Sequence, residues 1–199
     1  DGGGNILNAG TLTNATPVTY HVGDGSQHVG HVTIDELNTV LDDRGLIVLA
    51  SDSIYVNYRT VTINTNNQLT QAGSLTAKGL AAVGTEFRVG GTPNEVGSNI
   101  RSDLSPGMVF NGNPTLATAN LNYTLTAGQT IVFSVYTDIA PNADGLLGAH
   151  LTATNPIVLN NGVWHGNFNG LSGQDIGIDQ SVPVPKLGTE FICIRGGGV

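Results

Sequence analysis

Two blocks of this sequence occur twice, in the same order and at nearly the same spacing. Gly45-Leu46-Ile47-Val48-Leu49-Ala50-Ser51-Asp52-Ser53-Ile54-Tyr55-Val56-Asn57 lies over Gly148-Ala149-His150-Leu151-Thr152-Ala153-Thr154-Asn155-Pro156-Ile157-Val158-Leu159-Asn160, with an offset of 103 residues. Gly, Ala, Ile and the closing Asn coincide, and Ser/Thr, Asp/Asn and Val/Leu are conservative. Gly84-Thr85-Glu86-Phe87 then returns unchanged as Gly188-Thr189-Glu190-Phe191, with an offset of 104. Each copy is followed by a glycine pair, Gly90-Gly91 and Gly196-Gly197. Two ordered blocks at one spacing define two copies of a unit, near residues 1–105 and 106–199.

The runs inside each copy read as strands. Val18–Val22, Leu46–Leu49, Ile54–Tyr58, Arg59–Thr65, Thr130–Tyr136 and Phe191–Arg195 are short, rich in β-branched or aromatic residues, and bounded by Gly, Asp, Asn or Pro. Leu121–Leu125 alternates apolar and polar, and runs through Ala127-Gly128 into Ile131–Val135, which predicts a hairpin. Only Ile34–Leu41 and Ser74–Val83 allow a turn or two of helix. Charged residues are 11 % of the chain, against roughly 25 % in ordinary domains, and Gly, Thr, Asn and Ser take their place. The expected fold is all-β, two tandem β-sandwich-like repeats. Asp52-Ser53 and Asn155-Pro156 are turns feeding buried strands at Ile54–Val56 and Ile157–Leu159. Phe87 and Phe191 should enter equivalent cores. Pro183-Val184-Pro185 resists a central strand and predicts an edge or a connection.

Charge and composition exclude several function classes. A net charge of −8 with seven Lys and Arg argues against nucleic acid, which needs clustered cations, and against an anionic membrane surface. No apolar run reaches about 18 residues, so no helical membrane insertion is expected. The single cysteine, Cys193, permits neither an intrachain disulfide nor a thiolate cluster. Few lysines and long Thr/Asn-rich strands point to an extracellular, cell-surface setting. Asp1-Gly2-Gly3-Gly4 has the character of no export signal.

No catalytic motif stands out. Gly-x-Ser-x-Gly is absent, Cys193 lies in an apolar strand, and the glycine runs precede no helix, so they cradle no phosphate. The expectation is no catalytic residue and no bound cofactor, with calcium as the one candidate. Asp175 and Asp179, in a Gly-rich loop with Gln174 and Gln180, are the calcium candidates, with Asp42-Asp43, Asp138 and Asp144 as further carboxylates. Their spacing matches no EF-hand, and turn-capping carboxylates are the competing reading. His28 and His31, three apart, fall on opposite strand faces and make a poor zinc pair; His21, His150 and His165 read as ordinary strand or surface histidines. Trp164 with Tyr55 and Tyr58 reads either as a glycan platform or as core. Asn14 and Asn122 open N-glycosylation sequons.

Three stretches carry a resemblance: Ser53–Arg59, then Gln71–Gly79 and Ala82–Gly90; Pro156–Trp164; and above all Gly173–Val184 running on to Gly188–Ile192. They resemble large secreted surface proteins of gliding Bacteroidota, exported by the type IX secretion system, with SprB-like mobile adhesins the best-known type. The same stretches are distantly similar to the N-terminal domain of IgGFc-binding protein. The resemblance covers most of residues 10–199 and implies a non-catalytic cell-surface module of an adhesin used in attachment or gliding motility. Its implied partners are neighbouring domains of the same long chain, and cell-surface or secretion machinery. The family defines no catalytic residues. Its members continue on both sides, so the expected parent is a longer tandem array, and they carry extra residues between the stretches matching Asn99–Arg101 and Ser105–Gly107. The alternative is a self-assembling subunit of an extracellular filament or sheath.

Overall fold

A computed structural model describes residues 3–6, 9–13, 15–22, 36, 39–63, 66–90, 122–133, 148–166 and 175–190. Among them regular structure is β, with short 3-10 turns and no α-helix. The all-β expectation holds. The chain divides into two compact units, Asp1–Ile54 with Ile100–Gly145 and Tyr55–Asn99 with Leu146–Val199. These boundaries differ from 1–105 and 106–199, because each unit draws on both halves of the sequence.

The six strands among the described residues all lie in the second unit. β1 (Asn57–Ile63) and β2 (Leu69–Thr76) form an antiparallel hairpin, Asn57 opposite Thr76. The connection passes through Asn67 at φ 59°, a left-handed conformation that Asn tolerates. β3 (Val83–Arg88) pairs with β4 (His150–Val158), Phe87 opposite Leu151. β5 (Asn160–Gly166) pairs with β6 (Asp175–Gln180), Asn160 opposite Gln180. The three ladders are separate two-stranded sheets. The β3–β4 register shifts between Gly84 and Glu86, where the facing β4 stretch carries Asn155-Pro156; a proline without an N–H fits such an irregularity.

The repeat survives at the level of hairpins. β1 begins at Asn57 and β5 at Asn160, the offset of the sequence repeat. Each hairpin is closed by the same extra bond: Ala77 N–H donates to Val56 O at 2.9 Å, and Ser181 N–H to Leu159 O at 2.8 Å. A 3-10 turn follows each, Gly79–Ala82 and Val184–Lys186. Pro183-Val184-Pro185 is thus a connection, as its prolines predict.

In the second unit the described core lies where the two copies meet. Phe87 and Ala82 are fully buried, Pro183 is among the largest buried side chains, and Ile176 is nearly buried. Gly73 admits this contact, since a Cβ there would stand 2.7 Å from Ile176 Cγ2. Asp175 Oδ1 accepts from Ala72 N–H at 2.7 Å, tying β6 to β2. Lys186 Nζ donates to Leu80 O at 2.6 Å and Val83 O at 2.7 Å, fixing the second 3-10 turn to the first. Phe191 lies outside the described residues.

Several predicted strands are not strands. Among the described residues Leu46–Leu49 and Ile54–Val56 join no ladder, and Tyr55 is 77 % exposed, so the expected buried strand of the first copy is not seen there. β-Propensity favours an extended backbone, but a ladder needs a partner at the right register. Val18–Val22 likewise forms no ladder. In the first unit the turn at Ala127-Gly128 is present, with Gln129 N–H donating to Thr126 O at 3.1 Å. Its flanks do not pair as a described hairpin; Thr130 instead bridges to Leu41. Tyr123 packs on Phe133 with ring centroids 5.4 Å apart.

Candidate functional site

A cleft of about 500 Å³ opens in the second unit where the ends of β3 and the β5–β6 hairpin approach the start of the first 3-10 turn. Gly162 shapes its wall: a Cβ there would collide with the Gly177 carbonyl and with Ile178, so β5 and β6 close at backbone distance only because no side chain intervenes. Ile178, Val182 and Leu187 give the cleft apolar surface.

Three lining residues carry charge: Lys78, Arg88 and Asp179. Lys78 Nζ donates to both Asp179 carboxylate oxygens, at 2.9 and 2.8 Å, and to Gln180 O. The Lys78 N–H donates to Gln180 Oε1 at 2.6 Å. Asp179 is 63 % exposed, so water screens the pair, which contributes about 0–1 kcal/mol. Its effect is positional, since it neutralises Lys78 and sets the turn against β6. Arg88 differs. Among the described residues its side chain makes one hydrogen bond, from Nη1 to Gly148 O at 3.3 Å, and faces no carboxylate within salt-bridge distance. Beside it, Asn161 Nδ2 donates to Ser181 Oγ, and Ser181 is buried. The Asn161 Oδ1 acceptor faces Gly90.

The calcium candidates are not brought together. Asp175 opens β6 and Asp179 is its penultimate residue, ~13 Å of strand rise apart. Asp175 accepts from the Ala72 and Ile176 amides, and Asp179 is paired with Lys78. Asp42 accepts from Gln129 Nε2 at 2.6 Å. Asp43 and Glu36 hold Arg44, at 3.4 and 2.7 Å, and the hydrogen bond with Glu36 raises the Arg44 pKa. Asp138 and Asp144 lie outside the described residues. Among the described residues no three His, Cys, Asp or Glu gather as metal ligands would.

Of the histidines, His150 Nε2 meets Glu86 Oε1 at 2.9 Å across the β3–β4 ladder. His21 is exposed, while His28, His31 and Cys193 lie outside the described residues. His165 and Trp164 are in β5, with side chains also outside them. Tyr55 is exposed with its hydroxyl 2.8 Å from Thr76 Oγ1, and Tyr58 is half-buried in β1. Asn122 is exposed; Asn14 is not described.

Sequence reasoning missed Lys78 and Arg88. A signal for Arg88 was present: it directly follows the first Gly-Thr-Glu-Phe block, where the second copy has Ile192.

Among the described residues no helix is long and apolar enough to cross a membrane. Residues 44–198 match a family model described as IgGFc binding protein. Comparison with curated proteins and with solved structures found no match.

Proposed function

Because the chain belongs to the IgGFc-binding protein family, we propose that it is a non-catalytic, extracellular binding module whose partner is a secreted or surface glycoprotein. The supporting observation is the family match over 44–198, which takes in the six described strands and the described lining of the cleft. The finer placement, an adhesin segment of a gliding Bacteroidota surface, rests on the sequence resemblance. Surface plasmon resonance against immobilised glycoproteins, immunoglobulin Fc and mucin included, should give saturable binding without turnover. Hydrolysis of glycoside, ester or peptide substrates by the purified chain would contradict the reading, as would failure to bind every glycoprotein offered.

One observation favours the second reading, a self-assembling subunit. Leu46, Ile47, Val48 and Leu49 form an apolar run exposed by 41, 51, 51 and 90 %. Surface of this kind serves association. Sedimentation velocity over a concentration series separates the two: a constant monomer supports the module, and concentration-dependent fibres support the subunit.

A further inference from the structure

We propose that the cleft takes a carboxylated sugar, such as a uronate or sialate residue, with Arg88 as the fork for its carboxylate. The proposal rests on the binding-module reading and names the ligand class of the same site.

Among its described lining residues the cleft has one charge without a counter-charge. Lys78 and Asp179 cancel, which leaves the Arg88 guanidinium as net charge in a chain whose total is −8. A single long bond to Gly148 O leaves most of its five donors available. A guanidinium presents its donors in a planar fork that matches a carboxylate bidentately, and such charge-assisted bonds are about twice as strong as neutral ones. The rest of the lining suits a sugar ring rather than a second charge. Asn161 Oδ1 accepts from a hydroxyl, and the Asn161–Ser181 pair keeps that amide oriented. Ile178 and Val182 offer apolar surface to the C–H face of a pyranose. A cleft of about 500 Å³ is within the range that small-molecule sites occupy.

The test titrates the full chain, by calorimetry and two-dimensional NMR, with a glucuronate-containing tetrasaccharide, a neutral N-acetylglucosamine tetramer and an oligoglutamate peptide. The expected result is saturable binding of the uronate sugar, with amide shifts at Gly90, Gly162 and Gly177. The neutral sugar should bind about tenfold more weakly and the peptide not measurably, since one ionic contact separates the first two and the ring contacts separate the third. Arg88→Gln should reduce uronate affinity to the neutral level, Arg88→Lys should restore only part, and Arg59→Gln on exposed β1 surface should change nothing. If Arg88→Gln fails to fold, Asn161→Ala with the same shift mapping takes its place, and should weaken both sugars. Sialylated and desialylated forms of one glycoprotein run in parallel: sialate-dependent binding assigns a protein-borne source, and binding of the free sugar alone assigns a polysaccharide. Equal affinity for neutral and acidic sugars, an Arg88→Gln variant unchanged, or the peptide binding as well as the sugar each overturns the proposal. The first of these leaves the binding-module reading standing.

Discussion

Phe87 and Lys78 lie nine residues apart and do opposite work. Phe87 is fully enclosed opposite Leu151, so its truncation leaves a cavity as well as lost apolar burial. Phe87→Ala should cost roughly 3–5 kcal/mol in urea unfolding, and a loss under about 1 kcal/mol would mean that the site collapses around the missing ring. Lys78 makes its contacts through a half-exposed side chain, and Lys78→Met should lower stability by about 1 kcal/mol or less. Phe87 was legible because an aromatic that closes a repeated block has few places to go except inward. Lys78 was not, because its meaning depends on Asp179, one repeat away in sequence and adjacent only once the hairpins stack.

The β1–β2 and β5–β6 hairpins are repeats of one another in offset and in closing bond, and this sets a test. The amides of Ala77 and Ser181, each donating across the base of its hairpin, should show comparable hydrogen-exchange protection. Protection of one with rapid exchange of the other would break the equivalence. Gly73 is the point where β6 closes on β2, and Gly73→Val should cost about 1–3 kcal/mol through overpacking against Ile176, read as a lower urea midpoint. The hairpin starts at Asn57 and Asn160 were visible in the repeated asparagine. The fate of Ile54–Val56 was not, since a run with strand composition becomes a strand only when a partner meets it in register. Ile157-Val158 finds that partner in Val83-Gly84; Ile54–Val56 joins no described ladder.

Cutting the chain between residues 105 and 106 should leave neither half folded on its own. β3 comes from the first half and β4 from the second, and β2 is held to β6 through Ala72 and Asp175. The halves should each give poorly dispersed amide spectra, and mixing them should restore dispersion; two independently dispersed halves would support the tandem division near residue 105 instead. The all-β class was legible from composition and punctuation. The sharing of strands between copies was not, because a repeat reports that two segments are alike and says nothing of which segment each one pairs with.

The pairing of Phe87 with Leu151 also has a consequence in time. The β4 partners of β3 lie 62 to 75 residues downstream, and Pro183, against Gly84, lies 99. Topologies built on such distant contacts fold slowly, because loop closure comes before any contact rewards it. As the chain is synthesised, the segment around Phe87 must wait for residues 150–186 before its core can close. The unit therefore stays open until late in synthesis, and its core closes in one of the last steps.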